Sequence, residues 1–270
     1  MTRIEHVSEP SEDRYAQVAE LYDHVAPYRD RPDVPFFVEQ ARNAGGPVLE
    51  VGCGTGRVLI PCARAGVEIV GLDLSVRMLE ICRMRLEDES DAVRSRVQLV
   101  HGDMRDFELG RTFAMAMLPF RSFQHVITAD DQVTSLRCIR AHLEPGGRLL
   151  LDVFNPSLDM LANRVIGKEY SESEFTMPDG RRVVRSYKVA AHDRFRQVND
   201  VELIYDVTHE DGRAERVVDA FEMRYLFRFE AEHLLARCGF EVERVYSGYD
   251  GSDYGSEYPG ELVMLASRAD

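Results

Sequence analysis

Short apolar runs alternate with helically periodic stretches through the first half of the chain. Val48, Leu49 and Val51 form a run that breaks at a glycine-rich turn, as a strand buried on both faces of a parallel sheet does. Residues 57–65 read as a helix ended by Gly66, with Pro61 near enough to its first turn to be tolerated. A second run, 67–75, carries Asp73 at its end. Ser75 is placed to cap the next helix, whose apolar face holds Met78, Leu79, Cys82 and Leu86. Residues 97–100 and 113–120 predict two more strands, and 130–143 a helix stopped by Glu144-Pro145-Gly146-Gly147. Residues 148–154 predict a fifth strand. This order predicts a parallel sheet with helices on both faces.

After Pro156 the period changes. Runs 181–191, 198–208 and 214–227 have strand character, joined by hairpin signals at Asp179-Gly180 and Asp211-Gly212. Val201, Leu203, Tyr205 and Val207 alternate onto one face, and Phe221, Met223, Tyr225 and Phe227 share another. A small antiparallel subdomain therefore interrupts the α/β order. A helix over 230–238 and runs 239–247 and 261–268 then return to the main sheet as an antiparallel edge pair. At the other end, residues 1 to about 14 read as a poorly ordered tail. Residues 15–29 read as a helix-like segment with Val18, Leu21 and Val25 at helical spacing, stopped by Pro27.

Charge and composition narrow the partners. The net charge of -14, from 47 acidic against 33 basic residues, would repel a phosphate backbone, so nucleic acid is not expected. The basic stretch Arg181, Arg182, Arg185 and Lys188 alternates with Val183, Val184 and Tyr187, as on the wet face of a strand. No apolar run is long enough for a membrane span, and the first residues lack the apolar core of a secretory signal. Cys53, Cys62, Cys82, Cys138 and Cys238 are scattered without a CxxC pair, which suits buried thiols in a cytoplasmic protein. His101, His125, His142, His192, His209 and His233 lack ligand spacing, so no metal is expected.

The chemistry concentrates in Glu50-Val51-Gly52-Cys53-Gly54-Thr55-Gly56. Glycines at 52, 54 and 56 leave no side chain over the strand-to-helix turn, so a ligand can lie against the backbone. The spacing is not the G-x-G-x-x-G of dinucleotide sites, and it suits the amino-acid end of a nucleoside ligand better than a pyrophosphate. Asp73, ending the second strand, can accept two ribose hydroxyls; a plain helix-start acid would look the same. Asp103 ends the third strand, where it can meet an adenine amino group, with Met104 as a neighbour for the base.

EVGCGTG, GLDLS, HGDM and the EPGG turn before LLLDVF resemble the motifs of class I S-adenosylmethionine-dependent methyltransferases. The resemblance covers most of 45–155 and returns over 229–266. It implies a Rossmann-like seven-stranded mixed sheet of order 3-2-1-4-5-7-6 with an inserted antiparallel subdomain. The segments it implies are an N-terminal cofactor-covering one over 1–44, a cofactor-binding core over 45–160, a lid over 161–225 and a sheet completion over 226–270. It also implies that Gly52, Gly54 and Gly56, with Cys53 among them and Glu50 in support, meet the methionine part. Asp73 with Leu74 would hold the ribose, Asp103 and Met104 the adenine, and Leu118 would border the cofactor. Tyr22 and Tyr28, in YDHVAPY, resemble the covering segment of small-molecule members such as amino-sugar N-methyltransferases and relatives of glycine methyltransferase.

Leu118-Pro119-Phe120 stands where protein and nucleic-acid members often carry Asn/Asp-Pro-Pro-Tyr, so the resemblance favours an apolar cleft at Phe120 and Phe123. His125 is the best-placed base for a hydroxyl acceptor, although a surface or capping histidine would look alike. Asn155, Arg224 and Tyr225 are candidates to orient the acceptor. The reading is methyl transfer from S-adenosylmethionine, leaving S-adenosylhomocysteine, to an amine or hydroxyl of a small molecule. A peptide or protein acceptor, a non-catalytic cofactor-binding module and, further off, a nicotinamide-dependent oxidoreductase are the competing readings. A homodimer through the lid stays open.

Overall fold

The computed structural model describes residues 4–6, 13–163 and 165–270. The N-terminal part holds β1 (Ile4–His6), α1 (Ala19–Tyr22), α2 (Ala26–Arg29) and α3 (Asp33–Asn43). The alternating part runs β2 (Val48–Val51), α4 (Leu59–Arg64), β3 (Ile69–Asp73), α5 (Val76–Glu87), α6 (Asp91–Arg94), β4 (Val97–His101), β5 (Phe113–Leu118), α7 (Ala129–Ala141) and β6 (Leu143–Val153). Next come α8 (Leu158–Asn163), β7 (Tyr170–Ser171), β8 (Phe175–Thr176), β9 (Arg182–Asp193), β10 (Val198–Thr208) and β11 (Ala214–Arg224). The chain finishes with α9 (Arg228–Arg237), β12 (Phe240–Tyr246) and β13 (Leu262–Arg268).

The main sheet has the order β12-β13-β6-β5-β2-β3-β4, which is the expected 3-2-1-4-5-7-6. Strands β2 to β6 pair in parallel, and β13 runs antiparallel between β6 and β12. Both faces are apolar because both are covered. Leu49, Leu118, Leu149 and Leu151 pack with α7 and α9 through Leu136 and Leu235. Val48, Met115 and Leu150 pack on the other side with Phe37, Leu59 and Leu79. All five parallel strands therefore deliver their carboxyl ends to one edge, where an α/β sheet binds ligands. Among the described residues no helix is long and apolar enough to cross a membrane.

The second sheet lies over that edge, built on β9, β10 and β11 with the short β7 and β8. Its inward face packs Val183, Leu203, Tyr205 and Val207 against Val18, Leu21 and Val25 of the N-terminal part. Here the structure corrects two expectations. Residues 4–6 pair in parallel with β11, so the first 14 residues are not wholly a tail; 1–3 and 7–12 lie outside the described residues. Pro27 sits in the first turn of α2 rather than ending a helix, since its missing N–H costs nothing there.

Two more corrections concern strand ends. Glu144-Pro145-Gly146-Gly147 lies inside β6, where the register against β5 shifts between Phe113 and Met115. The turn signal is therefore an irregularity within a strand. β11 ends at Arg224, so Tyr225 and Phe227 do not continue its face.

Ser75 caps α5 as its position suggests: its Oγ accepts the Met78 N–H at 3.0 Å and donates to Asp13 at 2.8 Å. Ser75→Ala is expected to lower stability by roughly 1–2 kcal/mol, read as a shift in the denaturant midpoint. An unchanged midpoint would mean that the cap contributes nothing.

Candidate active site

The three glycines of the turn serve different ends. All have positive φ (79°, 53° and 82° at Gly52, Gly54 and Gly56), which a side chain would strain. A Cβ on Gly52 would stand 2.7 Å from that of Ser122, and one on Gly56 2.6 Å from the Cys82 sulfur. These two glycines answer to packing within the protein. Only Gly54 faces open space, with nothing within 4 Å of its Cβ position. The sequence reading gave all three to the ligand; of the three, only Gly54 has open space at its Cβ position.

Asp73 is fixed from both sides, accepting the Gly54 N–H at 2.7 Å and the Ser75 N–H at 2.8 Å. Burial raises its pKa, and the two backbone bonds pull it back. Beneath the turn, Glu50 is buried, and its Oε2 has no hydrogen-bond partner among the described residues. Burial holds its carboxyl well above the ordinary range. Leu74, beside Asp73, is 64% exposed and presents bare apolar surface. An open backbone, an orphaned buried acceptor, a fixed carboxylate and an apolar patch together fit a ligand such as S-adenosylmethionine, with an ammonium, ribose hydroxyls and a flat base.

The other expected cofactor residues are placed as follows. Asp103 is half-buried and forked to the Arg105 guanidinium, which holds its carboxyl below the usual range. Met104 is partly buried against the core. Cys53 and Leu118 are buried within the core.

The N-terminal segment closes on this edge through polar clamps. Asp13 accepts the Ser75 hydroxyl and the Arg77 N–H, both at 2.8 Å. Asp23 accepts from Thr55 at 2.9 Å and Arg85 at 2.8 Å. Arg57, next to Gly56, makes a fork to buried Asp33 at 2.6 and 2.7 Å. Tyr22 and Tyr28 pack against each other, centroids 4.7 Å apart, and against Phe120 at 6.2 and 4.9 Å. Phe120 and Arg121 are consecutive non-glycine residues with positive φ, 54° and 65°, a strained turn after β5. The Phe120 N–H donates to buried Asp152 at 3.1 Å, which also accepts the Tyr249 hydroxyl at 2.9 Å.

His125 ends the short 3₁₀ turn Ser122–His125. Its Nδ1 lies 3.2 Å from the Arg14 guanidinium, and its ring 5.1 Å from that of Phe221 on the lid. Desolvation, with the Arg14 charge beside it, pushes the imidazole down to about 3. Both influences favour the neutral imidazole.

Other expected acceptor residues face protein partners. Arg224 donates to the Ile127 carbonyl at 3.1 Å and pairs with Glu230 at 3.2 Å. Tyr225 is buried with its hydroxyl 3.2 Å from His192. Asn155 donates to the Pro259 carbonyl, and Phe123 is fully buried in the core.

Beside these the structure places residues that the sequence reading passed over: Asp13, Arg14, Arg57 and Asp219. Arg185, expected on a wet face, points inward with its side chain 6% exposed. A β-bulge between Asp200 and Val201 shifts the β9–β10 register, and Arg185 pairs with inward-facing Tyr205.

Residues 48–147 match the family model of a methyltransferase domain. The chain is 27% identical over 263 residues to the dTDP-3-amino-3,6-dideoxy-alpha-D-glucopyranose N,N-dimethyltransferase of Streptomyces fradiae, covering 93% of this chain and 94% of that one. It is 28% identical over 223 residues to the cypemycin N-terminal methyltransferase of a Streptomyces species, covering 82% and 83%. Among solved structures, S-adenosylmethionine-bound CalS10 from Micromonospora echinaspora, an amino pentose methyltransferase, superposes with a TM-score of 0.68. That match is at 22% identity, over 98% of this chain and 100% of that one, a likeness of fold.

Proposed function

From the premise that the chain is a class I S-adenosylmethionine-dependent methyltransferase acting on a small organic molecule, we propose that the acceptor atom is an amine nitrogen, carried by an amino sugar. The placement of His125 carries this reading: its Nδ1 lies 3.2 Å from the Arg14 guanidinium, a donor that occupies the nitrogen a base would need. A hydroxyl must lose its proton as it attacks, and an imidazole pushed down to about 3 is too weak a base to take it. An amine that enters neutral already offers its lone pair. The two relatives, by their names, act on an amino sugar and on the N terminus of cypemycin.

When bound, S-adenosylmethionine supplies a methyl group activated on a sulfonium and leaves as S-adenosylhomocysteine. The protein's part is to hold and exclude. Gly54 lets the ligand approach the backbone, Glu50 accepts from its ammonium, Asp73 orients the ribose, and Asp103 and Met104 meet the base. Tyr22, Tyr28 and Phe120 keep water from the reacting centre, and the lid holds the nitrogen in line with the transferred carbon. The new C–N bond forms as the carbon–sulfur bond breaks, and the resulting ammonium returns its proton to solvent. The reading includes no nucleic-acid partner, which the net charge of -14 disfavours. It places the reaction in a reducing cytoplasm, where the five free cysteines stay thiols.

The test is S-adenosylhomocysteine release on amino sugars beside the same sugars bearing a hydroxyl in place of the amine. Turnover is expected on the amines, with kcat/KM rising with pH as the acceptor ammonium deprotonates and no inflection between pH 5 and 8 that is lost in His125→Asn. Turnover on the hydroxyl sugars alone, or a His125-dependent inflection near the ordinary histidine pKa, would overturn the reading.

A further inference from the structure

The inward face of the lid carries one acid that its pattern does not call for. Along β11, Val217, Asp219 and Phe221 alternate onto the face that packs with Leu203, Tyr205 and Val207 of β10. Asp219 stands opposite Leu203 in an otherwise apolar stretch, with its side chain 2% exposed. Neither of its oxygens accepts a hydrogen bond among the described residues. Among the described residues its one close charge is Arg14, whose Nε lies 3.2 Å away and itself makes no hydrogen bond there. The contact is ionic without being directional, since the Arg14 guanidinium is spread over Tyr15, Phe221 and His125. A carboxylate stripped of water and given no hydrogen-bond donors is costly, and a ligand that supplies the donors would offset that cost.

A complementary group sits on the same sheet face. Arg185 of β9 pairs in register with Tyr205 and lies over the Tyr28 ring at 4.5 Å. One of its nitrogens donates to Glu172 at 2.7 Å and the guanidinium also interacts with the Tyr28 hydroxyl; Nε and Nη1 are buried and meet the geometry of no hydrogen bond among the described residues. Between the lid and the N-terminal segment, then, are two carboxylate oxygens that accept no hydrogen bond among the described residues and a guanidinium with donors to spare, beside Tyr15, Tyr28, Tyr205 and Phe221. Phe120 and Tyr22 adjoin them on the side of the glycine turn.

We propose that Asp219 selects and orients the acceptor: its oxygens take the N–H bonds of a basic nitrogen, and the spare donors of Arg185 take the acceptor's oxygen substituents. The ligand class is a hydroxylated amine, and the inference rests on the amine reading above. Asp219 is a specificity residue for that reaction. The alternative, that it only balances the Arg14 charge, leaves its hydrogen-bonding capacity unused.

Binding separates these ideas without turnover. The probes are the best-used amino sugar of the panel and its hydroxyl counterpart, titrated by calorimetry onto protein saturated with S-adenosylhomocysteine. In the wild type the amine should bind more tightly. In Asp219→Asn its affinity should fall by about 30-fold or more, with the hydroxyl probe and S-adenosylhomocysteine changed less than about threefold. Asp219→Glu should recover part of the loss. A wild-type preference that persists in Asp219→Asn overturns the proposal and leaves the amine reading standing. A wild type that does not prefer the amine overturns that reading first, and the proposal with it. Should Asp219→Asn not bind S-adenosylhomocysteine, the paired variant Arg14→Met/Asp219→Leu takes its place, because it leaves no lone buried charge. A preference retained there is equally fatal to the proposal.

Discussion

Asp73→Ala is expected to weaken S-adenosylhomocysteine binding by about 100-fold or more, because charge-assisted hydrogen bonds are worth ~1.5–3 kcal/mol each and more than one is lost. The carboxylate has two tasks in the proposed site. Toward the protein it ties the Gly54 and Ser75 N–H groups together and so sets the distance between the glycine turn and α5. Toward the ligand it offers its remaining lone pairs to the ribose hydroxyls. Asp73→Asn keeps the size and one acceptor oxygen, and about 10-fold weakening is expected there. Isothermal titration of both variants measures the difference. Affinities within about threefold of wild type would remove Asp73 from the cofactor site.

The largest stability effect is expected at Asp33. It has no solvent exposure, accepts both terminal nitrogens of Arg57 at 2.6 and 2.7 Å, and lies 3.3 Å from Arg31. Asp33→Ala should cost about 3–5 kcal/mol, because it strands buried guanidinium charge rather than merely losing a bond. Asp33→Leu/Arg57→Met should recover much of that loss, since removing both partners leaves less charge unpaired. Chemical denaturation of the single and double variants measures both. A single-variant loss under about 1 kcal/mol would mean that Arg57 finds another partner or reaches water. The same pair joins the start of α3 to the residue after Gly56, so the weakened protein should also hold its glycine turn less firmly.

The two residues differ in how far the sequence announced them. Asp73 could be read directly, because it ends an apolar run and precedes a serine able to cap a helix, all within a few positions. Asp33 gave no such signal: its partner lies 24 residues away, across a strand and a turn. Arg14 and His125 are 111 residues apart in sequence and 3.2 Å apart in space. Asp219 was passed over, because a charge within an apolar alternation is also what surface strands show.

What the sequence determined by itself is what short-range physics controls. Periods of two and 3.6 residues set the strands and helices, the alternation of the two set a parallel sheet, and Ser75 set a helix start. Glycines at 52, 54 and 56 marked the turn, but their separate uses depend on what stands opposite: Ser122, open space and Cys82. Only the tertiary structure decided those uses, together with the pairing of β1 on the lid, the continuation of β6 through a proline and two glycines, and the inward turn of Arg185 and Asp219. Each of these is fixed by contacts between distant segments, whose energies exist only once the chain has brought them together.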